Sequence, residues 1–540
     1  MAIIRFHSSD QQLSQQGVAA WSAVLVLLFS LISSCDTIEQ LQVASPVCSV
    51  DLTRVEVESI IAHAVEQAQR VNQKVTVAIS DREGNILGVF RMTGARLDSA
   101  SLTVSGTTVQ VTTVDTCIRK ARTAAFLSSN QHAFSTVTAC YITRPHFPPG
   151  VANTAAGPLF GVGLSSLPGS DIMPNGNALN DAPGGIPIFK NGCLAGGIGV
   201  IGAASQFNSV LCTGQSLDET IALGALVDGL LVANDKRGDN IFIDGIRFLY
   251  TNTSAPVGNF TLTFANALTV GASIGAITGT PPQKFPSVGE VMLGTIGPRT
   301  FNFPIRAGSN LTQSDVQRII QQAAAQAAKT RAAIRRPVGA VAQVFIAVVD
   351  LDGTVLGIWR TPDATIFSFD VSAQKARTAL VFSNPNNTNA QNNVEFSSRI
   401  RSLLGLSSTA SLSMTTRAVG FLAQDFYPPG IDRDSLGNRL EAGPLFEGTD
   451  FKYQRRLLGL SGLPAYGNGI TIFPGGIPLY KNGQLAGAIG ISGDGVDQDD
   501  LIASAGTAGF EAPPSVRCDQ FSFRGVRLPY VKFPRQPEIR

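Results

Sequence analysis

The stretch GGIPIFKNGCLAGGIGVIG, Gly184 to Gly202, returns almost intact as GGIPLYKNGQLAGAIGISG, Gly475 to Gly493. Each copy runs an apolar segment into Lys-Asn-Gly and out again through Leu, Ala, Gly and Ile. Asn-Gly between two such runs is the strongest short hairpin signal, because both residues accept positive φ. Other matches keep the same order. LTRVEVESIIAHA (Leu52 to Ala64) is echoed by LTQSDVQRIIQQA (Leu311 to Ala323), and SDREGNILGVFR (Ser80 to Arg91) by VDLDGTVLGIWR (Val349 to Arg360). DTCIRKARTA (Asp115 to Ala124) returns as DVSAQKARTA (Asp370 to Ala379), and RGDNIFIDGIRFLY (Arg237 to Tyr250) as RCDQFSFRGVRLPY (Arg517 to Tyr530). Ordered matches over so long a period mean two homologous domains, not a solenoid with a period of roughly 20–50 residues.

Each copy reads as helix, hairpin, helix, irregular region, hairpin, helix. Thr53 and Thr312 have the chemistry of N-caps. In the first helix Val57, Ile60, Ile61, Ala64, Val65 and Ala68 give the inward face. Lys74 to Ser80 alternates as a strand does, Asp81-Arg82-Glu83-Gly84 makes a turn, and Asn85 to Met92 returns. Asp115 and Asp370 are expected to cap the next helices, and the last helices begin near Asp218 and Asp499, read as cap residues like them. Phe260 to Val270 alternates well enough for a strand. The expected organisation is a leader at 1–34, a tether at 35–50, a first domain at 51–250, a linker at 251–310 and a second domain at 311–540. Long Gly/Pro-rich stretches, Ile142 to Pro183 and Gln424 to Pro474, are where ligand or partner contacts are expected.

The net charge is +2 with 15% charged residues, which excludes a strongly basic nucleic-acid surface. Val18 to Ile32 is an apolar run of about 15 residues, short for a spanning helix and suited to a signal peptide. It ends in Ile32-Ser33-Ser34-Cys35, which resembles a bacterial lipoprotein box, so the expectation is export with a lipid on Cys35. An ordinary signal peptide and an uncleaved anchor stay open. Six further cysteines follow, at 48, 117, 140, 193, 212 and 518. An even number in an exported chain makes disulfides plausible, and a bridge from Cys193 to Cys212 would close the extra residues of the first repeat. Cys117 falls inside a helix and reads as a buried thiol.

D-x-x-G-x-x-L-G-x-x-R, K-A-R-T-A, G-G-I-P-x-x-x-N-G-x-x-x-G-x-I-G and the late Asp-containing helix together resemble the GlcG/HbpS-like haem-binding domain family. The likeness touches nearly all of both repeats. It implies an α+β fold, two profilin- or PAS-like domains each built of an antiparallel sheet packed by helices. It also implies oligomeric members, some of which bind or break down haem. This chain departs from the compact family form. Its loops before GGIP are longer, the first repeat has about ten extra residues after Gly202, and the second about ten between its first helix and strand.

Haem iron needs an axial donor in an apolar slot, with cationic groups for the propionates. Beyond the leader there are three histidines, His63, His132 and His146. The resemblance makes His63 the lead ligand, against a histidine bonded locally. The second repeat has Gln322 there. His146, before Phe-Pro-Pro-Gly, is a weaker candidate. Lys120, Arg122, Lys375 and Arg377 could hold an anionic edge, against structural ion pairing. The glycines of GGIP form no phosphate loop, lacking G-x-x-x-x-G-K-[ST]. In strands they mark close approach of a helix or subunit. No Ser-His-Asp arrangement stands out. The leading expectation is an exported, lipid-anchored protein that binds haem or a related small molecule. The alternatives are a structural or interaction protein with degenerate sites, in contact with a membrane complex, and a haem-degrading enzyme.

Overall fold

The computed structural model describes residues 48, 50–97, 100–104, 107–162, 171–173, 179–227, 229–254, 259–281, 293–296, 299–385, 391–446 and 468–539. The leader, Cys35 and most of the tether lie outside them. The first repeat contributes α1 (Arg54–Arg70), β1 (Thr76–Asp81), β2 (Ile86–Met92), α2 (Thr113–Phe126), α3 (Thr136–Ile142), β3 (Gly185–Lys190), β4 (Cys193–Ile201), α4 (Leu217–Ala225) and β5 (Gly271–Ser273). The second contributes α5 (Gln313–Ala327), β6 (Phe345–Val349), β7 (Val355–Arg360), α6 (Phe367–Ser383), α7 (Thr416–Leu422), β8 (Gly476–Lys481), β9 (Gln484–Ser492) and α8 (Val496–Gly506).

The class is α+β, as the sequence implies. The strand orders are β3-β4-β1-β2-β5 and β8-β9-β6-β7, every pairing antiparallel. Even the irregularities agree. The register shifts at Ile79/Ser80 and at Val348/Val349. It shifts again at Ile188/Phe189 and at Leu479/Tyr480. The Asn-Gly turns hold Asn191, Gly192, Asn482 and Gly483 at positive φ, so local chemistry and sheet twist agree.

Helix starts follow capping chemistry. Thr53 accepts from the Glu56 N–H while Glu56 accepts from the Thr53 N–H; Thr312 and Asp315 repeat this reciprocal box. Asp115 is not the cap of α2: Thr112 is, with Asp115 three positions on completing the same box. In α6 the helix begins at Phe367, so Asp370 is buried inside it and accepts from Gln374 at 2.9 Å. The strand expected over Phe260 to Val270 is also displaced. Thr263 caps a short helical turn, Phe264–Ala267, and the strand that joins β2 is Gly271–Ser273.

Both second helices lie directly on a sheet. A Cβ at Gly199 would collide with the Cys117 carbonyl of α2, and one at Gly490 with the Ser372 carbonyl of α6. Glycine there permits the approach, as strand glycines do. The first repeat has a core around Ile60, Ile61, Val77 and Ile198. A second apolar cluster joins Phe126, Phe134 and Phe248 to Phe345, Phe369 and Phe473. It crosses from one repeat to the other, and residues 43–540 form one compact unit.

Arg335 clamps this junction. It sits in the extra residues between α5 and β6, its side chain wholly buried. Its guanidinium donates to Asp494 at 2.9 Å, Asp363 at 3.2 Å and, across the junction, Ser129 at 2.9 Å. Arg82, in the first repeat's turn, donates to Asp363 at 2.8 Å, and the Asn130 N–H donates to it at 3.0 Å. Burial works against the Asp363 charge, but Arg82 and Arg335 hold its carboxyl below the usual range.

The cysteine bridge expected between Cys193 and Cys212 is not formed. Cys193 pairs with Cys48 and Cys212 with Cys140, each with Cα atoms 5.8 Å apart. Cys193 opens β4 at the hairpin tip, where the segment before α1 passes. The extra residues after Gly202 instead fold back on α3, which carries Cys140. Cys117 and Cys518 are buried free thiols.

Candidate functional site

The K-A-R-T-A residues act as rivets. Lys120, on α2, is buried and donates to the Val200 carbonyl at 2.9 Å and to Asp218 at 3.1 Å. Lys375, on α6, does the same to Ile491 and Asp499, both at 2.7 Å. The cap role expected for Asp218 and Asp499 therefore gives way to an ion pair: neither α4 nor α8 has a side-chain cap bond. Two positions on, Arg122 donates to the Gly84 carbonyl and Arg377 to the Gly353 carbonyl, each at 2.9 Å. Each arginine thus ties its helix to the D-x-x-G turn. Arg377 also grips Asp171 of the first repeat at 2.7 and 2.8 Å. These four cations are spent inside the fold.

The histidines do not converge. His63 lies half-buried on α1, its ring stacked on Phe260 at 4.9 Å and its Nε2 3.4 Å from Ser59 Oγ. Its Nδ1 is buried without a hydrogen-bond partner. His146 faces Asp432 of the second repeat at 2.9 Å and Phe426 at 5.2 Å, joining the two aromatic-Pro-Pro-Gly loops. His132 is fully buried, with Nδ1 2.9 Å from Ser129 Oγ and Nε2 3.0 Å from the Leu127 carbonyl. Burial and nearby Arg335 push its pKa down to about 3, so it is neutral.

A cavity of about 850 Å³ opens between the repeats. Leu127, His132, Phe134, Ile142 and Phe248 line it from the first repeat, and Ile334, Phe367 and Phe473 from the second. One end is the start of α8, Asp494 to Asp499, with Lys375 beside it. Lys532 and Arg535 stand at the lining, as do Phe242 and Phe533, which are about half exposed (52% and 48%). Lys120 and Asp218 line a smaller cavity, about 320 Å³, at the matching place in the first repeat.

Sequence reasoning singled out Lys375, which lines the large cavity, but placed no other candidate there. In the sequence Asp499 marks only a helix start, and Phe242, Phe533, Lys532 and Arg535 carry no motif. Of the long loops, Ile142, Pro158, Leu159 and Phe473 reach it. Burial and the neighbouring Asp494 and Asp500 push the Asp499 carboxyl up to about 7, against the pull of Lys375. Burial likewise pushes Lys375 down.

Repeated rivets, matching sheets and a cavity beside the lysine–aspartate pair define a tandem α+β protein. Residues 52–105 and 311–508 match the family described as haem degrading protein HbpS-like. Among solved structures, PduOC in its haem complex is 22% identical, with a TM-score of 0.20 over 32% of this chain and 89% of that one. Protein ORFY of Klebsiella pneumoniae is 21% identical, with a TM-score of 0.22 over 39% of this chain and 97% of its own. A double mutant of HbpS from Streptomyces reticuli is 22% identical, with a TM-score of 0.21 over 33% and 87%. No curated protein matches the chain.

Proposed function

We propose that this protein binds a tetrapyrrole of the haem class, or a small molecule of like shape, in the cavity between its repeats. One observation carries the reading: an aromatic slot of about 850 Å³ whose lining joins half-exposed Phe242 and Phe533 to Lys532 and Arg535. Pockets of roughly 300–1,000 Å³ with apolar walls and a few charged groups are the usual form of small-molecule sites. Exposed phenylalanines beside cations suit a flat apolar body with carboxylates at one edge. The family description, haem degrading, supports the same class.

The residues fit the ring and its carboxylates; they do not fit the iron. His132 is the one histidine on the wall, and both its nitrogens are engaged. His63, the lead ligand by sequence, is roofed by Phe260 and lines neither cavity described above. Titrating the purified protein with haemin tests the reading. A saturable Soret shift that weakens in Arg535→Glu and Phe533→Glu supports it, and a flat titration ends it.

Residence outside the cytoplasm, with a lipid on Cys35, belongs to the same proposal. Two disulfides favour an oxidising compartment. Labelling cells with a fatty-acid analogue should mark the wild type and not Cys35→Ala; equal labelling would remove the anchor.

A further inference from the structure

Along the acidic entry to α8, nearly every carboxylate oxygen is accounted for. Asp494 accepts from the Ala333 N–H at 2.6 Å and from Arg335 at 2.9 Å. Asp497 pairs with Arg417 at 2.6 Å and Lys532 at 2.8 Å. Asp500 takes Arg417, the Gly475 N–H at 2.9 Å and the Lys532 N–H at 3.1 Å. Asp499, 2% exposed and in the cavity wall, gives Oδ2 to Lys375, and its Oδ1 has no hydrogen-bond partner.

The first repeat shows what is missing. There Asp218 gives Oδ2 to Lys120, and its Oδ1 accepts from the Ala203 N–H at 2.8 Å. The loop from β9 to α8 is about ten residues shorter than its counterpart, and the residue matching Ala203 is Asp494. No N–H returns to Asp499 along that route. A buried acceptor left without a donor is costly, and a bound donor relieves it.

We infer that the cavity selects tetrapyrroles without metal, with Asp499 Oδ1 accepting from a pyrrole N–H. This rests on the tetrapyrrole reading above and names the class within it. In haem all four ring nitrogens are bound to iron and none offers a proton. A metal-free tetrapyrrole, closed ring or open chain, presents N–H donors at the middle of the same flat apolar body. The wall offers no free imidazole to iron, while Asp499 holds a buried carboxylate oxygen with no partner. A donor bonded to a carboxylate is stronger than a neutral pair. The burial-raised affinity of Asp499 for protons shows the same demand for a donor.

Titration of the full-length protein by calorimetry with haemin, free-base protoporphyrin IX and biliverdin tests this. At least one metal-free ligand is expected to bind about tenfold more tightly than haemin. Protoporphyrin ahead of biliverdin marks a closed ring, and the reverse an open chain. Asp499→Asn is expected to bring the ratio near one, and Asp218→Asn to leave it unchanged. Haemin binding as tightly as both metal-free ligands overturns the inference and leaves the tetrapyrrole reading standing. A ratio that survives Asp499→Asn in a folded variant overturns it too. If that variant does not fold, the wild-type ranking alone decides. If none of the three binds, the tetrapyrrole reading itself falls.

Discussion

The two repeats keep the same lysine–aspartate rivet and strand register, yet balance the next buried carboxylate differently. In the second repeat Asp500 meets Arg417, which follows the N-cap of α7 by two residues. In the first, the residue two beyond the N-cap of α3 is Val137, and Glu219 has no such cation. Glu219 is fully buried; Asn252 N–H donates to one oxygen at 2.9 Å, and the other has no partner. Burial pushes its pKa up to about 7. A carboxyl can therefore be kept buried either by a paired arginine or by a retained proton. The rivet tolerates both because it needs only Lys120 or Lys375 and its own aspartate.

The comparison assumes that both repeats belong to one cooperative body, and Arg335→Ala tests that first. It takes the arginine from buried Asp494 and leaves Asp363 with Arg82 alone, and a loss of about 3–5 kcal/mol in urea unfolding is expected. A small loss, or two well-separated transitions, would make the repeats independent. Gly199→Ala and Gly490→Ala should each cost about 1–3 kcal/mol, since both push a helix off its sheet. Unequal losses would show that the two helix–sheet contacts differ.

The third test separates the two carboxylates by pH. The folded value of Glu219, about 7, lies above its ordinary 4.5. The folded state thus holds the proton more firmly, and that stabilisation is full below pH 4.5. It falls as pH rises through about 7, by about 3 kcal/mol. Glu219→Gln should melt like the wild type at pH 5 and higher at pH 8. Asp500→Asn should melt lower at pH 8, because Arg417 then keeps only Asp497 as a charge partner. The same sign for both would erase the distinction. Smallest, Thr53→Ala and Thr312→Ala should each cost about 1 kcal/mol by thermal melt, because the reciprocal caps are alike.

Much of the fold was legible because it is written in local chemistry. Thr53, Thr312, Asn191-Gly192 and Asn482-Gly483 fix helix starts and turns whatever lies around them. Repetition supplied the rest, since two copies of one order imply one pairing scheme. What escaped depends on distant contacts. Cys48 reaches Cys193 across 145 residues, a meeting that spacing cannot announce. Arg335 sits in an insertion with no counterpart, so repetition could not mark its role. The large cavity forms where the copies meet, and Phe242, Phe533 and Asp499 gain their chemistry only there.

The buried guanidinium of Arg335 sets the smallest portion of this chain that can stand alone. A fragment ending before residue 311 would turn Ser129, Asn130, Phe134 and Phe248 out to water. One beginning there would keep the arginine and lose its hydroxyl acceptor. Each copy thus carries half of one lock.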